Sequence, residues 1–437
     1  MGDTSRSQTV STKLQGIAEQ AIRYPGMVFT TLVHLIDVDF LREAYRLTRK
    51  DKAAGLDKVT AKEYAVNLEE NLVDLYERLR TGRYVAPPVE RVWIEKDEKS
   101  KRPIGKPTFE DKIVQRAAVM LLGAIYEQDF YGFSHGFREG HSQHQALAEL
   151  WKWCMGMNIR WILDADVSGF FDNLDHGWLR KIIKQRVNDG GVLRLIGKWL
   201  NAGVVEGEIL TYPEKGTPQG GVISPMLSNI FLHHVLDGWF VEDVKPRMKG
   251  RCFLIRFADD FIIGFELEED ARRVMEVLPR RFNHFGLAIH PKKTALISFR
   301  KPNFKESKAN GNGTFDFLGF THYWARSRRG HWVIKRKTRR KGVKRFLKSL
   351  WLWLKRNRHL RLEEQYRTLC SKLRGHYQYF GIIGNYKAIG TINHFARRYW
   401  KYWLSRRCHK GKIDWEKFLS SILAKYPLPK PRIVHSM

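Results

Sequence analysis

Two adjacent carboxylates, Asp259 and Asp260, lie inside the strongly apolar segment RFADDFII at residues 256–263. Like charges repel, and a desolvated carboxylate is costly unless a positive charge compensates it. The flanking sequences CFLIRF and FIIGF are typical of two β-strands that are joined by a tight A-D-D turn. A solvated turn is the simpler alternative, because turns favour Asp for its local hydrogen bonds. The strands are too apolar for a surface hairpin, however, and this favours a functional site.

A third acid, Asp166, ends another apolar segment, RWILDADVSGFFD, which leads into the aromatic pair Phe170 and Phe171. If the two strand regions are neighbours in one sheet, the three carboxylates lie at the same edge. Three close carboxylates need counter-charge, and hard divalent cations with oxygen ligands supply it. Two such ions can clamp the attacking and leaving oxygens of an in-line phosphoryl transfer. The pattern therefore predicts phosphoryl transfer with two Mg²⁺ ions, for which Mn²⁺ is a substitute. If the chain also binds a polyanion, nucleotidyl transfer becomes the leading chemistry.

The composition indicates a folded protein with a polyanionic partner. Of 437 residues, 43% are apolar, and 77 Lys or Arg stand against 46 acids, so the formal charge is +31. Such an excess favours nucleic acid as the partner, with a membrane surface as the competing explanation. No uninterrupted apolar stretch reaches the roughly 20 residues of a membrane-spanning helix, and the first residues are polar. The four cysteines form no CxxC pair, which is typical of a reducing compartment.

The positive charge is concentrated in one region. Residues 317–413 contain 27 Lys or Arg and only two acids, Glu363 and Glu364, together with many aromatic residues. Basic side chains can neutralise phosphates and aromatic rings can stack on bases, but most of these rings are better explained as the core of a helical domain. Within VKRFLKSLWLWLKRN the apolar residues follow helical spacing, so one face is buried and the basic face is the predicted contact surface. The composition shift near residue 320 predicts a domain boundary.

Residues 1–320 predict a mixed α+β domain. Strand-like and helical segments alternate without a regular βαβ period, which argues against a doubly wound sheet. Residues 38–80 and 108–130 have helical spacing, and VERVWIEKDEKSKRPIGKP predicts a β-hairpin. The segment EEDARRVMEVLPRRFNHFGLAI predicts a helix that is followed by another strand.

Asp166 with its Phe-Phe-Asp sequence, TPQGGVISPMLSN, FADD and GLAIHPKKT occur in the order of the catalytic motifs of reverse transcriptases. The fuller set resembles the group II intron-encoded reverse transcriptase and maturase family. It adds KAAGLDKVT, KRPIGKPTFEDKIVQRA, FSHGFREGHSQHQAL, FDFLGF and LRGHYQYFG with HFARRYWKYWLSRR. The similarity covers roughly residues 40–435.

This resemblance implies an α+β fold of the right-hand polymerase type, with fingers and palm on a mixed or antiparallel sheet and a helical thumb. The corresponding divisions are 1–85 for an N-terminal extension and the start of the fingers, 86–320 for fingers and palm, and 321–437 for a basic helical thumb and maturase domain.

The resemblance also implies roles for individual residues. Asp166, Asp259 and Asp260 match the metal-binding triad, with the Val167 carbonyl as a backbone ligand. Phe170 and Phe171 are predicted nucleotide contacts. Phe171, five positions after Asp166, matches the steric gate that selects deoxynucleotides, and plain core packing is the alternative. The remaining assignments are Gln219 and Gly220 at the incoming nucleotide, Lys96 and Arg102 at the triphosphate, and Lys293 as proton donor to pyrophosphate, with Lys292 as its adjacent rival.

The predicted partners are an RNA template, which in this family is a structured intron RNA, a DNA primer or target, and deoxynucleotides. No membrane partner is expected, and the predicted location is the cytoplasm, in a ribonucleoprotein or at the nucleoid. The sequence leaves the oligomeric state open. The predicted RNA contacts are Lys335, Arg336, Arg339, Arg340, Lys344 and Arg345.

The chain departs from the family pattern at several positions. Phe257 stands where Tyr is commoner, the fingers tip reads KDEKSK rather than a glycine turn, and Glu90 stands where the family often has Arg. No Cys/His-rich endonuclease segment follows the basic region, so cleavage of a DNA target by this chain is not expected.

Three functions remain open from the sequence. The first is an active RNA-templated DNA polymerase that also assists intron splicing. The second is an RNA-binding splicing factor that has lost polymerase activity, against which the intact acidic triad argues. The third is a stand-alone reverse transcriptase in defence or repair, which the sequence separates poorly from the first.

Overall fold

The computed structural model describes residues 2–95, 101–217, 220–303, 313–407 and 412–436, with side chains from residue 9 onward. The chain is a mixed α+β protein, as the sequence predicts. The helices are α1 Gly2–Arg23, α2 Val38–Leu47, α3 Ala61–Tyr64, α4 Leu68–Arg80, α5 Phe109–Asp129, α6 Gln143–Gly156, α7 Phe170–Asn173, α8 His176–Lys184, α9 Gly190–Leu200, α10 Ser224–Leu232, α11 Glu268–His284, α12 Arg340–Arg356, α13 Leu362–Phe380, α14 Tyr386–Leu404 and α15 Trp415–Lys417. The strands are β1 Val89–Glu95, β2 Lys101–Lys106, β3 Trp161–Ala165, β4 Val204–Glu206, β5 Ile209–Thr211, β6 Cys252–Phe257, β7 Asp260–Phe265, β8 Ala295–Ser298, β9 Phe315–Phe317, β10 Phe320–Arg326 and β11 Trp332–Thr338.

The strands form three sheets, with the orders β2-β1-β4-β5, β6-β7-β3-β8 and β11-β10-β9. The predicted hairpin is confirmed, because β1 and β2 pair in antiparallel register from Glu90 opposite Lys106 to Glu95 opposite Lys101. The tip of this hairpin, residues 96–100, lies outside the described residues. The predicted strand pair around the A-D-D turn is also confirmed as β6 and β7.

The chain divides into two compact units. The first comprises residues 1–146, 163–263 and 269–295, and the second comprises residues 147–162, 264–268 and 296–437. The three-domain division that the sequence suggests stays a prediction. No helix in the described part of the chain is long and apolar enough to cross a membrane.

Helix α5 forms the centre of the first unit. Its residues Ile113, Val114, Ala117 and Leu121 are fully buried, which agrees with the helical spacing of the sequence. The helix begins at Thr108, whose hydroxyl accepts a hydrogen bond from the Asp111 N–H and so caps the first turn. Because α5 is buried on several sides, its polar residues also lie inside the protein, where each needs a partner.

The second unit packs α12, α13 and α14 around Trp400, which is fully buried. The Trp400 indole N–H donates to Gln365 Oε1 at 3.0 Å, so the polar atom of this large ring has its partner inside the core. Leu350 and Leu354 of α12 are buried in the same cluster, and Phe346, Leu347 and Trp351 pack against it. The predicted buried face of α12 is therefore confirmed.

One predicted strand is wrong. The segment after α11 forms only a single bridge, between Val167 and Ile289, and the next strand is β8 at Ala295–Ser298. A turn over residues 291–293 follows this bridge, so the apolar stretch is too short to continue a ladder.

Candidate active site

The sheet order brings two of the acidic segments to one edge. Strand β3 ends at Ala165, directly before Asp166, and β7 begins at Asp260. The two strands are neighbours, and the Arg160 N–H before β3 donates to the Phe265 carbonyl at the end of β7 at 2.9 Å. The start of one strand therefore lies beside the end of the other, which places Asp166 and Asp260 at the same edge. The sequence prediction of a shared edge agrees with this arrangement.

The segment GLAIHPKKT follows the backbone of Asp166. The Asp166 carbonyl accepts from the His290 N–H at 2.7 Å, and the Asp166 N–H donates to Thr294 Oγ1 at 3.4 Å. This pairing brings Lys293 to the site, and its Nζ donates to Asp166 Oδ2 at 2.8 Å. The Asp166 side chain is 34% exposed and that of Lys293 56% exposed, so the ion pair lies at a solvent-accessible edge.

The fit of a divalent metal to this edge rests on the chemistry of its donors. Carboxylate oxygens are the ligands that Mg²⁺ prefers, and Asp166 already binds a cation, the Lys293 ammonium. Among the described residues, however, no group of three or more His, Cys, Asp or Glu side chains has the spacing of a metal centre. The residue types therefore fit Mg²⁺, while the complete triad is not assembled in this structure.

The A-D-D turn is held by a buried polar network. Ala258 adopts φ +58°, in the left-handed region that is costly for a residue with a Cβ. Arg256, fully buried, donates from Nη1 to the Ala258 carbonyl at 3.0 Å and to Asn229 Oδ1 at 3.0 Å. Its other nitrogens donate to both carboxylate oxygens of Asp237, at 2.8 and 2.5 Å. This bidentate ion pair fixes the orientation of the guanidinium, which in turn holds the backbone turn before Asp259.

Gly136 allows the same turn to pack closely. A Cβ at this position would lie 2.1 Å from the Ala258 nitrogen, so only glycine fits. The Gly136 carbonyl accepts from Asn229 Nδ2 at 2.7 Å, which joins this contact to the arginine network.

The aromatic pair after Asp166 has two different environments. Phe170 is buried against Phe231, with ring centroids 6.4 Å apart, whereas Phe171 is only partly buried. The Phe171 carbonyl accepts from the Thr217 N–H at 2.8 Å, and the Leu174 carbonyl accepts from the Gly216 N–H at 2.8 Å. The start of the TPQGG loop is therefore bound to the turn that carries Phe171.

The far side of the TPQGG loop lies against β2. Gly220 adopts φ +114°, and a Cβ there would lie 2.4 Å from the Gly105 carbonyl oxygen. Glycine is thus required both for backbone conformation and for space. Arg102, on the same strand as Gly105, is exposed. The predicted nucleotide contacts Lys96 and Gln219 lie outside the described residues.

Gln115 of α5 anchors the end of this loop. Its Oε1 accepts from the Val222 N–H at 2.7 Å and from the Ile223 N–H at 3.2 Å, directly after Gly220 and Gly221. Its Nε2 donates to Asp111 Oδ2 at 2.9 Å. Both polar groups of this buried amide therefore have partners.

Asp111 extends the anchor into the core. Its Oδ1 accepts from the Trp199 indole N–H at 2.7 Å and from the Tyr84 hydroxyl. Burial raises the pKa of the Asp111 carboxyl, and burial beside Asp111 raises that of the Tyr84 hydroxyl. The loop is thus tied to a network of buried side chains.

Comparison with known proteins identifies the family that has this site. Residues 94–322 match the pattern of the family described as reverse transcriptase (RNA-dependent DNA polymerase). The chain belongs to the reverse transcriptase family. The matched residues include the three acids, the TPQGG loop, Arg102 and Lys293.

The relatives place the chain within this family. It is 38% identical over 283 residues to the group II intron-encoded protein LtrA of Lactococcus lactis, covering 61% of this chain and 46% of LtrA. It is 30% identical over 307 residues to the protein YkfC of Escherichia coli, covering 61% of this chain and 81% of YkfC. A nuclear intron maturase of Arabidopsis thaliana is 28% identical over 142 residues, covering 31% of this chain and 17% of the maturase. These relatives support the group II intron reverse transcriptase and maturase family, although the chain spans about half the length of LtrA.

One departure from the reverse transcriptase pattern has a local explanation. Glu90 of β1 lies opposite Lys106 of β2, and their side chains form an ion pair at 2.8 Å. The acid at this position therefore binds a cation of its own hairpin.

The predicted RNA contacts differ in exposure. Arg340, Lys344 and Arg345 are exposed, and Lys335 is partly buried. Arg339 is exposed and forms an ion pair with Asp316 at 3.6 Å.

The prediction that Arg336 contacts RNA at the surface is wrong. The residue is 3% exposed and donates from Nη1 to the Leu147 carbonyl at 3.2 Å. Burial lowers the pKa of its guanidinium, and this side chain does not lie at the surface.

Sequence reasoning assigned no role to Arg256 or Gln115. The sequence contains a signal for each of them. Arg256 is a charged residue within an apolar strand segment, and Gln115 forms a polar i, i+4 pair with Asp111 within an apolar helix. A buried polar group needs a partner, and here the partners are the backbone turns on either side of the site.

Proposed function

We propose that this protein is an RNA-directed DNA polymerase that extends a DNA primer on an RNA template, with a group II intron RNA as its natural partner. The observation that carries this proposal is the edge shared by Asp166 and Asp260, with the Lys293 ammonium bound to Asp166. Membership in the reverse transcriptase family and the intron-encoded relatives support the same activity. The fingers, palm and thumb arrangement of that family is part of the proposal.

The acidic residues would hold the metal. Asp166, Asp259, Asp260 and the Val167 carbonyl would bind two Mg²⁺ ions, which when bound supply positive charge to the triphosphate and the primer hydroxyl. The network around Arg256 holds the backbone of the A-D-D turn, so the Asp259 and Asp260 carboxylates would reorient about a fixed backbone when the ions bind. Mn²⁺ has similar oxygen preferences and is the expected substitute.

The nucleotide would lie between the Phe171 turn and the TPQGG loop. The Phe171 ring would exclude a 2′-hydroxyl, and Gly220 with Gln219 would contact the incoming nucleotide. Arg102 and Lys96 would bind the triphosphate, for which a guanidinium offers two parallel hydrogen bonds. Lys293, already at the carboxylate edge, would donate a proton to the leaving pyrophosphate.

A splicing role is the second part of the proposal. Relatives carry the names of intron-encoded proteins and intron maturases, and residues 317–413 have a net charge of +25. A basic surface of this size favours binding of a structured RNA. A splicing factor without polymerase activity is not favoured, because such a protein would have no need of three acids beside a bound phosphate backbone.

The test is primer extension by the purified protein with Mg²⁺ and deoxynucleotides. The wild type should extend a DNA primer on an RNA template, and Asp259→Ala should lower the rate by at least roughly a thousandfold, since metal-ion stabilisation is worth several kcal/mol. RNA affinity, measured by filter binding, should be retained. Glu276→Ala, which removes an exposed carboxylate of α11, is the control. Absence of extension by the wild type on several templates would overturn the proposal.

A further inference from the structure

The last residues of the chain form one wall of a groove in the second unit. The segment that follows Tyr426 has no regular secondary structure and docks on α14 and the end of α13. Leu428 is buried in the helical core, and the Val434 and His435 N–H groups donate to the Gly381 carbonyl at 2.7 and 3.0 Å. A Cβ at Gly381 would lie 2.6 Å from the Arg432 carbonyl oxygen, so glycine permits this close approach. The tail is therefore anchored at both ends.

Between these two anchors lies a cavity of about 640 Å³. Its walls come from two segments only, the last turns of α13 at residues 374–378 and the tail at residues 429–434. One buried side chain joins the walls, because Asn393 Nδ2 donates to the Tyr377 hydroxyl and to the Pro429 carbonyl, each at 3.0 Å. The groove is thus built by specific contacts and has a volume within the range of ligand sites in proteins.

The charged lining residues are all cations. Arg374, Lys430 and Arg432 line the groove, and its lining contains no acid. Each is exposed, and within the described part of the chain their side chains form no ion pair or hydrogen bond. In the first unit, by contrast, Arg138 and Arg186 bind Glu127 and Asp129. Three cations around one cavity, with no acid in its lining, favour an anionic ligand.

The remaining surface determines what kind of anion fits. Tyr377, Pro429 and Val434 supply apolar walls beside the cations. A ligand that satisfies both parts has phosphates for the three cations and a flat, largely apolar body for the walls, as a nucleotide has. Every nucleotide carries both a phosphate and a flat ring, whereas an acidic peptide has a charge beside a ring only where its sequence supplies the two together.

We propose that this groove binds a single-stranded segment of RNA, with its phosphates on Arg374, Lys430 and Arg432 and a base in the cavity beside Tyr377. The inference rests on the proposed function for the identity of the polyanion. It adds a defined RNA site on the tail and α13, outside the residues 335–345 that the sequence analysis singled out.

The test compares two triple variants of the full chain. Arg374→Ala with Lys430→Ala and Arg432→Ala removes the groove cations. Lys152→Ala with Lys301→Ala and Lys417→Ala removes three exposed cations of the same unit that lie outside residues 317–413, and it has the same net charge. Affinity for a fluorescein-labelled single-stranded RNA is measured by anisotropy over a range of salt concentrations, without Mg²⁺ or deoxynucleotides. Circular dichroism confirms that both variants are folded.

The groove variant should lose roughly a hundredfold in affinity at 0.1 M salt, and its plot of log affinity against log salt should be shallower by about two, because three phosphate contacts are lost. The control variant should lose less than about threefold under the same treatment, since it removes no predicted contact. Thiouridine-substituted RNA should cross-link to residues 374–378 and 429–434. Arg374→Lys with Arg432→Lys should keep most of the affinity.

Equal losses in the two triple variants, or an unchanged salt slope in the groove variant, would overturn the proposal. Because the assay contains no metal and no nucleotide, it remains informative if the protein proves to have no polymerase activity. Conversely, the groove variant should still extend a primer at saturating RNA, so failure of the groove and failure of the polymerase proposal are distinguishable.

Discussion

At the scale of single residues, the ion pair between Lys293 and Asp166 links charge compensation to the proposed chemistry. The ammonium lies 2.8 Å from a carboxylate oxygen that would bind a metal ion. A lysine in this position has two effects, because it competes with a divalent cation for Asp166 and is close enough to reach the leaving group. Removal of the side chain should therefore strengthen Mg²⁺ binding while it lowers the maximal rate.

Lys293→Ala should lower the Mg²⁺ concentration for half-maximal extension by about two- to fivefold, as expected when an exposed ion pair worth up to about 1 kcal/mol is removed. The maximal single-turnover rate should fall by at least about a hundredfold, the usual contribution of a general acid. Lys292→Ala, at the adjacent lysine, is the matched control and should change neither quantity. Identical behaviour of the two variants would remove Lys293 from both roles.

At the scale of secondary-structure elements, α5 positions the nucleotide loop through Gln115. Helix and loop are more than 100 residues apart in sequence, and the amide accepts two loop N–H groups while it donates to Asp111. Without this amide, the Val222 and Ile223 N–H groups and the buried Asp111 Oδ2 each lose one hydrogen-bond partner. Each loss costs about 1–3 kcal/mol when the group stays buried.

Gln115→Leu should raise the KM for deoxynucleotides by roughly tenfold while the RNA affinity stays constant, because the loop loses its anchor near Gly220. Steady-state primer extension with varied nucleotide gives KM and kcat separately. Tyr84→Phe is the matched control, since it removes a hydrogen bond to Asp111 but none to the loop. It should lower the free energy of unfolding without a change in KM. If both variants change KM equally, the effect reflects stability rather than loop position.

Elements with a clear period were predictable from sequence. The β1–β2 hairpin, the strand pair around Asp259 and the buried face of α12 all follow local patterns, and the structure confirms them. Arg336 follows the same rule. Strand β11 buries every second residue, so Arg336 lies on the same face as Trp332 and Ile334. Charge alone suggested a surface residue, whereas the two-residue period indicated a buried one.

Long-range contacts were less accessible to sequence reasoning. Lys293 was assigned from a family resemblance, and its contact with Asp166 depends on how the segment from Ile289 to Thr294 pairs with the end of β3. Arg256 and Gln115 have partners that are distant in the chain, and periodicity carries no information on such pairs. Their burial could have been predicted, but not the turn that each one holds.

At the scale of the whole molecule, buried neutral histidines make a strongly basic chain sensitive to acid. Burial lowers the pKa of His135 in the first unit to about 4, and that of His322 and His376 in the second unit to about 3 and about 4. Below about pH 6.5 the unfolded chain binds protons at these positions and the folded chain does not. Stability should therefore fall as the pH decreases from 6.5 towards 4. Each histidine contributes a loss of about 2 kcal/mol by pH 5, and added charge on a chain of +31 increases self-repulsion.

His322 offers the sharpest test, because its ring is fully buried and stacks on Phe315 with centroids 4.8 Å apart and planes within 3°. A phenyl ring should keep this stacking and remove the proton site. His322→Phe should therefore lose about 2 kcal/mol less stability than the wild type between pH 7 and pH 5. Urea unfolding monitored by tryptophan fluorescence at the two pH values gives this difference. His359→Gln, at an exposed histidine, should lose as much as the wild type. An unchanged loss in His322→Phe would mean that the buried ring already binds a proton in the folded protein.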